Sequence, residues 1–186
     1  MISYKVSFFL MIIALPQIFT GVFMWGPKVY VPFFMGRIPL LIVVAPIVGL
    51  ALGVLDVYLS RLVLSRIDQA RLELDASSIE EAQTPYIGQG VLGIVKNGLY
   101  VLGEESIRGI ILIFAGHDLP VYAVVALGAF LFFFSRRLPI YMRLVKLIDD
   151  LVLTLLFLWG GVISAWLAHL VLNTYILWPL LRYEPK

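Results

Sequence analysis

Four charged residues interrupt an otherwise apolar run between Tyr86 and Asp118: Lys96, Glu104, Glu105 and Arg108. On a helix, Glu104 and Arg108 stand four apart and Glu105 and Arg108 three apart, so both carboxylates can reach one guanidinium. Lys96, Tyr100 and Glu104 step along one face of the same helix. Two chemistries use such a set. A carboxylate paired with arginine can be an internal strut, and carboxylates at membrane depth also mark ion and proton paths. In the second case Glu104 and Glu105 carry the ion, Arg108 tunes them by proximity, and Lys96 guards the way in.

The two histidines, His117 and His169, open another possibility. Paired imidazoles between helices can hold haem b. Against that reading, His117 adjoins a turn and Asp118, and His169 has Asn173 one helical turn away as a natural partner. No cysteine is present, which excludes disulfides, thiolate metal sites and cysteine nucleophiles. The sequence contains no G-x-S-x-G, H-E-x-x-H, Walker A or G-x-G-x-x-G pattern. No metal site, catalytic residue or cofactor is therefore expected, with haem b the one cofactor considered.

The elements that position these residues are set by hydrophobicity. Of 186 residues, 61% are hydrophobic and only 14% charged, against roughly 25% charged in soluble domains. Runs such as LFLWGGVISAWLAHLVL lack the alternation of barrel strands. The expectation is an all-α, polytopic transmembrane bundle forming one membrane domain over residues 1–186. Five spans are expected, at about 6–25, 38–59, 90–116, 119–134 and 148–178. A cytoplasmic amphipathic helix is expected over 61–75, where Val63, Ile67, Ala70 and Leu74 recur at helical spacing.

Small residues mark helix-packing faces. Ala45, Gly49 and Gly53 stand four apart in the second span; Gly160, Gly161, Ser164, Ala165 and Ala168 line one side of the last. Asp56 falls near a span end, where water can solvate it. Gly103 lowers helix propensity in the charged segment and suggests an irregularity there.

Whether 90–116 crosses decides between five spans and four. With five, Arg61, Arg66 and Arg71 share a side with Arg136, Arg137, Arg143 and Lys146, as the positive-inside rule asks. With four, that bias nearly vanishes. Five spans put the N-terminus inside and the C-terminus outside a bacterial-type inner membrane or its equivalent. The leading functional expectation is a non-catalytic integral subunit of a larger membrane complex, packing through its small-residue faces. Its partners would be other membrane subunits, lipids, and a cytoplasmic protein at 61–75 and 136–146. A proton- or ion-conducting protein using Glu104, Glu105 and Arg108 is the alternative, and a haem b anchor subunit the third reading. Nucleic acid needs a clustered basic face and is not an expected partner.

Overall fold

The computed structural model describes residues 36–38, 40–67, 87–116, 119–133 and 138–182. The first expected span, His117 and residues 68–75 and 136–137 lie outside them. Among the described residues there are four helices: α1 (Leu40–Leu64), α2 (Gly90–Gly116), α3 (Val121–Phe133) and α4 (Ile140–Leu181). Among the described residues there is no strand, so the all-α expectation holds. By length and composition, α1 and α4 could each cross a membrane.

The last span is expected as one long helix over about 148–178, which at that length should tilt or project beyond the membrane core. The structure corrects this, because α4 breaks at Gly161, where φ is 71° and ψ −176°. That φ belongs to the left-handed region, which glycine enters without steric cost. The size of the break follows from side-chain contacts on either side of it. Asp150 lies 2.9 Å from Arg108, Arg108 3.6 Å from Glu105, and Glu105 2.7 Å from His169. One straight helix would place residues 150 and 169 ~28 Å apart along its axis. α4 is therefore a hairpin of two antiparallel arms, 140–160 and 162–181.

The neighbours of α1 confirm the reversal. Gly36 and Leu41 meet Gly160 at the tip, while Asp56 reaches Lys146 on the first arm. Gly49 meets Ala168 and Gly53 meets Tyr175 on the second arm. α1 thus runs antiparallel to the first arm and parallel to the second. The tip is closed by backbone. The carbonyl of Trp159, freed by the break, accepts from the amides of Arg37 at 2.7 Å and Ile38 at 2.9 Å. The hydroxyl of Ser164 donates to the carbonyl of Gly160 at 2.7 Å. Freed carbonyls are thereby satisfied, as a buried helix break requires.

α2 runs antiparallel to the second arm. The amide of Gly88 donates to the Leu180 carbonyl at 3.0 Å, and Glu105 meets His169 further along. Trp166 fixes the crossing by donating from Nε1 to the Gly98 carbonyl at 2.8 Å. α3 returns from α2, with Gly128 against Thr154 of the first arm. The described helices therefore alternate in direction as an up-and-down bundle. One end holds the Gly161 reversal, and the other, the open end, holds the ends of α1 and α4. A cluster drawn from all four helices packs on the side of the bundle nearer the reversal: Ala45, Leu112, Val124, Leu153, Leu156, Phe157, Val162, Ala165 and Ala168.

Several expectations fare differently at this level. The segment 90–116 is helical over those same residues, and α2 has no irregularity at Gly103. Of the expected amphipathic helix over 61–75, residues 61–64 form the end of α1 and residues 65–67 a turn, while 68–75 lie outside the described residues. The small-residue faces are used within the chain, since Ala45, Gly49 and Gly53 are buried against the arm carrying Ala165 and Ala168.

A Cβ at Gly49 would overlap the Ala168 backbone, which no rotamer change relieves. Gly49→Leu should lower thermal stability in detergent by about 1–3 kcal/mol, the usual cost of overpacking. Gly161→Ala should cost a similar amount, about 1–3 kcal/mol, by forcing a side chain into a left-handed backbone. Wild-type melting of either variant would contradict this packing.

Candidate functional site

Arg108 is fully buried, as are Glu105 and Asp150. Its Nη2 donates to Asp150 Oδ1 at 2.9 Å and its Nη1 to the Asp150 carbonyl at 3.5 Å. Glu105 Oε1 lies 3.6 Å from the same Nη2, close enough for ionic attraction but not for a hydrogen bond. The expected carboxylate–Arg108 pairing inside α2 is therefore present in its Glu105 form. The hydrogen-bonded partner, however, comes from the first arm of α4. Thr154 adds rigidity by donating from Oγ1 to the same Asp150 carbonyl at 2.7 Å.

His169 projects from the second arm into this cluster. Its Nδ1 donates to Glu105 Oε1 at 2.7 Å, and its Nε2 lies 3.9 Å from Glu104 Oε2. One imidazole thus stands between two consecutive carboxylates of α2. Its expected partner Asn173 is engaged elsewhere, donating from Nδ2 to Asn97 Oδ1 at 3.4 Å. Both ring nitrogens face carboxylates, so axial haem ligation would require His169 to leave one of them. Lys96 is not brought to the cluster. Its Nζ donates to Gln89 Oε1 at 2.9 Å, toward the open end of α2.

A second ionic group adjoins the first through the Asp149–Asp150 peptide. Lys146 Nζ donates to Asp56 Oδ2 at 2.8 Å and to Asp149 Oδ2 at 3.2 Å. Asp56, expected to be solvated at a span end, is instead only 4% exposed. The cost of burying it is offset by an ammonium far along the chain, a pairing invisible to local spacing. Lys146, expected on a cytoplasmic docking loop, likewise turns inward. Arg143, from the same loop, donates from Nε to the Leu138 carbonyl at 2.6 Å.

Together these contacts join the carboxylates Asp56, Glu104, Glu105, Asp149 and Asp150 to two permanent cations, Arg108 and Lys146, and to one imidazole. Acid is in excess. Among the described residues, no group of three or more acidic or histidine side chains is arranged to hold a metal ion.

No family model matches the chain, and no curated protein or solved structure matches it.

Removing one partner of a buried pair strands the other, whereas replacing both with apolar groups does not. Arg108→Ala should therefore cost about 3–5 kcal/mol, because Asp150 and Glu105 both lose the guanidinium. The double change Arg108→Met with Asp150→Leu should recover a large part of that loss in the same melting experiment. A single variant as stable as wild type would show that water already solvates the guanidinium.

Proposed function

We propose that this chain is an integral membrane protein that moves protons through the centre of its bundle by way of Glu104, His169 and Glu105. The observation that carries the reading is the imidazole held between two carboxylates of unequal exposure. Glu104 is one-fifth exposed, whereas Glu105 is fully buried. Histidine suits a relay because each ring nitrogen can gain or lose a proton in turn. A proton taken from Glu104 at Nε2 lets the Nδ1 proton pass to Glu105. Arg108 and Asp150 act as fixed charges that keep Glu105 in place.

Membrane insertion is supported by α1 and α4, and by the wide apolar exposure of Leu40, Val43, Ile47, Leu50 and Val54 on α1. In the proposed topology α1, α2, α3 and the two arms of α4 all cross. Arg61, Arg66, Arg143 and Arg182 gather at the open end, with Arg37 at the reversal end. The positive-inside rule then sets the open end in the cytoplasm. The C-terminal end of α4 falls inside rather than outside, because the hairpin adds a crossing.

The non-catalytic subunit remains the second reading. Its small-residue faces are consumed within the chain, but the exposed apolar face of α1 remains open to a neighbouring helix as well as to lipid. Native electrophoresis after gentle solubilisation decides it, since a band holding only the 20.9 kDa chain would end the idea.

Two measurements test the main proposal. Single cysteines at Ser65 and Arg182 should label from one side of oriented vesicles and one at Leu119 from the other; Ser65 and Arg182 labelling from opposite sides would overturn the hairpin topology. Proton flux into proteoliposomes should fall at least about tenfold in Glu105→Gln or His169→Phe, the range expected on losing a positioned proton carrier. Equal flux in these variants, or none from wild type, would leave the network as architecture alone.

A further inference from the structure

Lys146 occupies a cradle that a free cation could share. Two carboxylates from different helices, Asp56 of α1 and Asp149 of α4, converge on its Nζ at 2.8 and 3.2 Å. Both are almost fully buried, while Lys146 is 17% exposed. The ammonium marks a point where one monovalent positive charge is held by two acids. One negative charge is left over, and the second oxygen of Asp56, Oδ1, is buried without a partner. An ammonium is a compact point charge on a flexible four-carbon stem. It can leave for solvent without moving either helix.

We propose that Asp56 and Asp149 form a site for an alkali cation, with the Lys146 ammonium as its built-in competitor. The proposal goes beyond the proton-conducting reading and stands on the geometry of the cradle. Asp150, next to Asp149 in the chain, belongs to the other ionic group through Arg108, and His169 stands there against Glu104 and Glu105. A cation bound here takes the place of the ammonium, so one positive charge stays between Asp56 and Asp149 while the ammonium passes to solvent. The ammonium keeps the site from standing empty, since two unpaired carboxylates in this setting repel strongly.

Thermal melting of the purified full chain in detergent tests this, comparing potassium or sodium chloride with choline chloride at equal ionic strength. Wild type should melt higher in the alkali salt, because choline is too large for the cradle. In Lys146→Ala the half-saturating alkali concentration should fall by about tenfold or more, since the competing charge is gone. Asp56→Asn, close to isosteric, should abolish the alkali-specific shift. If Lys146→Ala does not fold, wild type against Asp56→Asn carries the comparison. Identical melting in alkali and choline salts for wild type, or a shift surviving in Asp56→Asn, would overturn the site. Glu105→Gln separates the two proposals: it should keep the alkali shift while losing proton flux. Loss of flux without any alkali shift in wild type leaves the relay standing and removes the cation.

Discussion

The reversal at Gly161 is the constraint on which the rest of the fold depends. Without it, Asp150 and His169 would sit at opposite ends of one long helix, and no single guanidinium could gather acids linked to both. With it, the two arms present an aspartate and an imidazole to the same stretch of α2. The break is stable because its freed groups find partners. The carbonyl of Trp159 takes two amides from residues 37 and 38, and the carbonyl of Gly160 takes the Ser164 hydroxyl. Gly36 adopts a positive φ of 69° close against Trp159 and Gly160, where a side chain would collide with backbone. Chain entering α1 therefore locks the tip of a hairpin more than a hundred positions later.

Close helix approach and charge burial then depend on each other. Gly49 lets α1 approach the backbone of the second arm, and this brings Asp56 within reach of Lys146 on the first. A larger residue at 49 would push α1 outward and open the Asp56–Lys146 pair to water or leave it unformed. Ionic pairs in a low-dielectric interior repay their desolvation only at short range. The small-residue stripe is thus a condition for the polar layer, besides being a packing device.

How much of this was legible in the sequence follows the range of the interaction concerned. The extent of α2 could be read from its bounding glycines and turn signals, and the proximity of Glu105 to Arg108 from spacing of three. Asp150 as the bonded partner of Arg108, and Lys146 as that of Asp56, could not be read. These contacts link residues 42 and 90 positions apart and depend on how helices are arranged. Gly160 and Gly161 were visible as small residues, but glycine serves close packing and chain reversal equally well. Only the satisfied carbonyls at the tip distinguish the two. Adjacent acids such as Asp149 and Asp150 are ordinarily solvated. Here they point into two ionic groups instead, each facing its own cation.

The distribution of polarity supports a lipid setting by a route independent of helix length. In water, a fold gains stability by placing apolar side chains inside and charges outside. Along α1 and at the ionic cluster this chain does the converse. Leu40, Val43 and Ile47 of α1 are each more than two-thirds exposed, while Arg108, Glu105 and Asp150 are fully enclosed. Exposed apolar surface of that extent is a liability in water and costs nothing against hydrocarbon. Conversely, charges facing hydrocarbon are expelled, and charges facing one another across helices are retained. A bundle that must keep ionisable groups in lipid has one place for them, its own middle. Helix ends are the cheaper position for such charges. An apolar core would hold the same helices together at lower cost.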